Sequence, residues 1–181
     1  TGNNSSWFGD VRVTGGALAL GHDNSLGTGN VTLDGGALRS DALITVANAI
    51  TLDTNGGTWN TNGNDTTLSG SMTGIGGFTK TGTGILTLSG ANAYAGATTI
   101  DAGTLALGAS SDISSSMGVT VGGGGTFDVS GFTSDFFTEI TTLGRPRFCQ
   151  ATFCSQAVRM THLPFATIRP VSSASGMNCA G

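Results

Sequence analysis

Between residues 1 and 144 this 181-residue chain has neither cysteine nor proline. A disulfide framework and a thiolate-ligated metal are therefore excluded from that stretch. Lysine and glutamate, both good helix formers, occur once each, as Lys80 and Glu139, and only 10% of the residues are charged. A helical protein with solvated, ion-paired faces does not have this composition. No run of about 18 apolar residues is present, and the start shows no charged stretch followed by an apolar one. Membrane insertion by this segment is thus not expected, and any export signal or membrane domain is expected to lie outside it. Cations are scarce: Arg12, Arg39 and Lys80 stand against all 11 acidic residues in the first 144. Such a surface repels phosphate, so nucleic acid is not expected as a partner.

What the chain does have is glycine, 31 residues of it, all but Gly176 and Gly181 before residue 145. Thr, Val, Ile and Leu fall in short runs between Gly, Asn, Asp and Ser, the pattern of many short strands joined by tight turns. Six stretches repeat one text: residues 11–20, 31–40, 50–59, 78–88, 98–107 and 119–127. Taking Val13, Leu33, Leu52, Lys80, Ile100 and Val121 as equivalent gives steps of 20, 19, 28, 20 and 21, regular except where residues 66–75 intervene. Apolar residues alternate within each copy, which buries one face of each strand.

A unit of about 20 residues, read as two short strands with a glycine turn between them, fits one rung of a solenoid. A rung buries four or five apolar side chains at roughly 1.5–3 kcal/mol each, against roughly 1–2 kcal/mol of backbone entropy for every ordered residue. It cannot stand alone, and stacking supplies the missing hydrogen bonds and inner face. Six rungs make a rod of roughly 29 Å. The expected fold is all-β, a right-handed parallel β-helix of about six rungs of roughly 20 residues, occupying residues 1–144. Val11, Val13, Leu18, Leu33, Leu52, Leu88, Ile100, Leu105, Val121 and Phe127 are expected to point inward. Three residues depart from the inward pattern. Ser40 replaces a leucine-type residue, Trp59 is larger than its counterparts Leu18 and Leu38, and Lys80 is expected at a corner with its ammonium in solvent.

Residues 67–108 carry Gly-Phe-Thr-Lys-Thr-Gly at 77–82, Leu-Thr-Leu-Ser-Gly at 86–90, Asn92 with Tyr94, and Thr-Thr-Ile-Asp-Ala-Gly-Thr-Leu at 98–105. In this order and spacing they closely resemble the autotransporter-associated β-strand repeat, also called the passenger-associated transport repeat. Weaker copies extend the likeness over roughly residues 11–129. The resemblance implies a structural stem or passenger segment of a Gram-negative autotransporter. It implies export aided by the repeat, surface display or secretion, and adhesion to host or cell-surface ligands. The implied partner is a C-terminal outer-membrane β-barrel absent from this chain. The family pattern contains no catalytic set, so no enzyme activity, cofactor or metal is expected.

Read on their own, the candidate residues give little chemistry. Asp34, Asp53 and Asp101 each follow an anchor residue and are expected at one corner, either capping turns or holding Ca²⁺ through stacked carboxylates. His22 and Asp23 are adjacent, and neighbours seldom face each other as an acid–base pair. Residues 74–77 lack the strand–helix context and Lys-Ser/Thr of a phosphate loop, and residues 122–128 miss the calcium nonapeptide spacing by one. Exposed Thr, Ser and Asn form either a flat binding face or an inert one. The rival to a passenger stem is a β-helix carbohydrate-active enzyme whose site lies on other rungs, which would be marked by carboxylates converging on one face.

Residues 145–181 differ in every respect. All three prolines and all three cysteines fall there, with four arginines and no acidic side chain. Cys149, Cys154 and Cys179 have His162 as their one nearby candidate co-ligand. Pro146, Pro164 and Pro170 disfavour central strands. This tail is expected not to continue the β-helix, to be disordered or to fold back as a non-repeating cap, and to follow a frame change close to Gly144.

Overall fold

The computed structural model describes residues 2–108, 111–131, 139–142 and 166–169. Its strands fall into six rungs. Rung one holds β1 (Val11–Val13) and β2 (Ala17–Leu20), and rung two β3 (Val31–Leu33), β4 (Ala37–Ser40) and β5 (Ile44–Val46). Rung three holds β6 (Ile50–Leu52), β7 (Gly57–Asn60) and β8 (Thr66–Leu68), and rung four β9 (Met72–Gly74), β10 (Phe78–Thr81) and β11 (Ile85–Leu88). In rung five β12 (Asn92–Tyr94) is followed by β13 (Thr98–Leu107), which serves two faces without a break. Rung six repeats this with β14 (Val119–Asp128), preceded by a parallel bridge from Asp112 back to Ala91. All pairings among β1 to β14 are parallel. The protein is a β-solenoid of about six rungs.

A full rung therefore has three strand faces, one more than the two-strand expectation, although rung one has strands on only the first two. The first face stacks β1, β3, β6, β9 and β12; the second stacks β2, β4, β7, β10 and the first halves of β13 and β14; the third stacks β5, β8, β11 and the second halves. Residues 66–75 are no insertion. They are the third-face strand of rung three and the first-face strand of rung four.

This corrects the sequence register. Val13, Leu33, Leu52, Gly74 and Tyr94 form one column, at steps of 20, 19, 22 and 20. Leu18, Leu38, Trp59, Lys80, Ile100 and Val121 form another, at steps of 20, 21, 21, 20 and 21. Aligning Lys80 with Leu52 crossed from the first face to the second, and the anomalous step of 28 was that crossing. Gly74 stands in the column instead because its backbone has φ 117° and a Cβ there would strike the Leu52 carbonyl.

The inner faces make one continuous core that includes Val13, Leu33, Leu52, Leu88, Ile100, Leu105, Val121 and Phe127, with Val11 packed against it. Leu18 is the exception. It sits in the same column as the fully buried Leu38, yet is 38% exposed. β2 is the last strand of its stack, and no rung covers the leucine from that side. At the other end the parallel order stops. β16 (Ala166–Arg169) runs antiparallel to β14, with Ile168 opposite Val119, and β15 (Glu139–Thr142) runs antiparallel to β16. The boundary at Gly144, Cys149, Cys154, Cys179 and His162 lie outside the described residues.

Candidate functional site

The outward positions of the strands stack as regularly as the inward ones. Thr58, Thr79, Thr99 and Thr120 are in register along the second face, Thr32, Thr51 and Thr73 along the first, and Thr45, Thr67 and Thr87 along the third. Neighbouring hydroxyls in such a column are roughly 4.8 Å apart. β-Branched threonine suits the pleated strand while keeping its surface polar. The three faces thus present mainly uncharged, hydroxyl-bearing surfaces, with Arg12 on the first face and Arg39 on the second as cations among them, and the aspartates lie mostly at the corners.

The corner aspartates act along the axis. Asp10 Oδ1 accepts from the Asn30 amide at 2.8 Å, Asp23 Oδ1 from Thr45 at 2.8 Å and Asp65 Oδ1 from Ile85 at 2.8 Å. Each carboxylate occupies an amide of the following rung that would otherwise lack a partner. Asp34 and Asp53 lie together, as the sequence suggests, but what they hold is Arg12, whose Nη2 donates to Asp34 at 2.8 Å and to Asp53 at 3.0 Å. Asp53 also accepts from the Thr54 amide, and this bond, then Arg12, holds its carboxyl below the usual range. Asp34 accepts from the Asn55 amide at 3.2 Å and its Nδ2 at 2.8 Å.

Asp101 is elsewhere: it follows the second-face column, not the first, so the expected three-carboxylate corner does not form. His22 and Asp23 belong to a loop, where His22 Nδ1 accepts from the Asn24 amide. Residues 74–77 turn between β9 and β10, and residues 122–128 lie within β14. Among the described residues no group of three or more His, Cys, Asp or Glu converges.

The least expected chemistry is inside. Lys80 does not sit at a corner with its ammonium in solvent. The residue is wholly buried, and its three N–H groups face four oxygens, one hydrogen being shared: Thr61 Oγ1 at 3.0 Å and the carbonyls of Thr81 at 2.9 Å, Gly82 at 2.7 Å and Ala102 at 3.0 Å. The corner allows this because Gly82, at φ 77°, packs its α-carbon against Asn60 and Asn62, where a Cβ would collide. Those four oxygens come from rungs three, four and five. Burial pushes the ammonium down to about 8, while the charge of Asp65 pulls it up.

Trp59, one rung below Lys80 in the same column, makes the corresponding contact: its Nε1 donates to Ser40 Oγ at 2.9 Å. Ser40 also accepts from Thr66 Oγ1 at 2.7 Å. Both large polar-tipped residues thus reach down to a hydroxyl 19 residues earlier, Trp59 to Ser40 and Lys80 to Thr61. A separate polar patch joins Tyr94 to Thr98 at 2.7 Å and Thr98 to Ser116 at 3.0 Å, and burial pushes the Tyr94 phenol up to about 12. The signal for the first network was in the sequence. Ser40, Trp59 and Lys80 are the three departures from the apolar pattern; Trp59 and Ser40 compensate each other across rungs, whereas Lys80 is compensated by Thr61 and backbone carbonyls.

Residues 78–107, which run from β10 through β13, match the family described as the Passenger-associated-transport-repeat. The match identifies an autotransporter passenger repeat within this chain, and with the stacked parallel rungs it supports a passenger segment at the cell surface of, or secreted by, a Gram-negative bacterium. Among curated proteins it is similar to the adhesin BmaC autotransporter of Brucella suis biovar 1 (strain 1330), with 41% identity over 110 residues, 59% of this chain. The matched stretch is 3% of that adhesin's length. No solved structure matches the chain.

Proposed function

We propose that this chain is a non-enzymatic stem of an autotransporter passenger, one that aids its own export and holds an adhesive surface away from the cell. The observation that carries this reading is the match of residues 78–107 to the passenger repeat. In this chain those residues supply the middle of the stack, where every rung is paired on both sides. A rung of this kind becomes stable only when its neighbour is laid on it. Folding outside the membrane then makes export hard to reverse, and the partner that delivers the chain is an outer-membrane β-barrel on the same parent polypeptide. Adhesion is taken from the Brucella relative, which is an adhesin. The hydroxyl-lined faces suit contact with host or cell-surface ligands through many weak hydrogen bonds.

The test is surface display. The chain, fused to an autotransporter barrel, is expected to reach the outside of the cell, where added protease removes it. Deleting residues 78–107 should lower the displayed fraction severalfold. Undiminished display of the deletion would overturn the export role, and display without any gain in cell attachment would overturn the adhesive one.

A further inference from the structure

The apolar pattern leaves one error unpunished. Because side chains alternate with a period of two, a rung that slips by two residues along its neighbours keeps every inward residue inward. In this chain the inward residues of the second face are mostly interchangeable hydrophobes, among them Leu38, Ile100 and Val121. Hydrophobic burial alone therefore does not choose between the native register and its two-residue neighbours. Lys80 does distinguish them. Its ammonium is satisfied by Thr61 Oγ1 from the rung below, the Thr81 and Gly82 carbonyls of its own corner, and the Ala102 carbonyl of the rung above. A two-residue slip carries Nζ roughly 6–7 Å along the strand, away from the Thr61 and Ala102 oxygens, and leaves a buried charge without its partners, the costliest state for a side chain.

We propose that Lys80 is a register lock that fixes rungs three, four and five in one pairing register, and that its oxygen cage is a built site for a primary ammonium group. Trp59 extends the lock downward, because its indole needs Ser40 in the same relation. The lock works through specificity rather than net stability. A buried charge with all its partners is at best neutral against a hydrophobe of its size, whereas the same charge misplaced is strongly unfavourable. The one charged residue among these core positions thus stands where a repetitive sequence is most open to misassembly.

The test uses the full chain and hydrogen-exchange mass spectrometry of peptides across residues 57–107. The unmodified chain should give one isotope envelope for each. Lys80→Met, which fills the same space without the charge, should melt at or above the temperature of the parent. It should nevertheless show two or more envelopes after refolding, from rungs in different registers. A single envelope matching the parent's would overturn the proposal, whatever the melting temperature. If Lys80→Met does not fold, Lys80→Ala refolded in n-propylammonium, which replaces the missing stem and charge, should recover the single envelope, and 1-propanol at the same concentration should not. Equal recovery in both, or in neither, would overturn it as well.

Discussion

Rungs one and two put the same residue in the same column, and the two leucines have opposite fates. Leu38 is sealed between β2 and β7, while Leu18, directly in register with it, is 38% exposed because nothing lies beyond β2. The difference shows that burial in a solenoid belongs to the stack and not to the residue. An identical side chain is core or surface according to whether a further rung is present. Rungs three and four show the other side of this rule. There the stack is so complete that it encloses a tryptophan indole and a lysine ammonium, each satisfied by the rungs next to it.

The largest test of this contrast places a charge at each kind of position. Leu105→Asp, in the fully enclosed third-face column, should cost more than about 4 kcal/mol and melt several rungs together. Leu18→Asp should fall within about 1 kcal/mol of the parent, since its carboxylate reaches water. Urea denaturation followed by circular dichroism measures both, and comparable losses would show that the end rung is as enclosed as the interior.

A smaller effect distinguishes the enclosed charge from the enclosed hydrocarbon. Lys80 sits near its ordinary 10.5 in the unfolded chain and at about 8 in the folded one. Between those values the unfolded chain binds more protons, so stability should rise with pH from about 8 towards 10, by on the order of 3 kcal/mol at most. Above pH 10 Tyr94 acts in the opposite sense. Its phenol is pushed up to about 12 in the folded chain, so the unfolded chain loses that proton first and stability falls. Melting curves at stepped pH, with Lys80→Met as the control lacking the slope, check the first window. A flat parent profile there would mean that the four oxygens offset burial in full.

The smallest effect belongs to the exposed corner. Arg12→Ala removes both ion pairs with Asp34 and Asp53. Water and salt already screen them, so the melting temperature should move by roughly a degree or two, and 0.5 M salt, about a 4 Å screening length, should erase the difference. A larger shift would mean that the corner contributes to stacking as much as the core does.

Much of this architecture is legible in the sequence, because a period near 20 and the alternation of apolar residues both follow from stacking. The faces were not. Val13 and Leu18 belong to different sheets although they are five residues apart, and periodicity alone does not say which sheet a hydrophobe joins. Hence Lys80 was aligned with Leu52, and Asp101 with Asp34 and Asp53. The third strand was hidden for a related reason: Thr66 points inward as a buried polar residue, which weakens the apolar signature of β8. The Lys80 environment was illegible because three of its four oxygens are backbone carbonyls, which every sequence contains and no sequence positions. Only the hydroxyl of Thr61 could have given it away. The absence of a catalytic motif is a different kind of reading, and it rests on residue types rather than on geometry.

The three-strand rung also fixes how the molecule trades length for chain. In-register residues are 19 to 22 apart, a segment that pulled straight would reach roughly 65–75 Å, yet a laid rung advances the axis by only about 4.8 Å. Each rung that forms therefore reels in more than about ten times the length it adds. Under tension from one end the solenoid should pay out chain in steps of one rung, some 60–70 Å at a time, so that a pulling trace counts rungs directly.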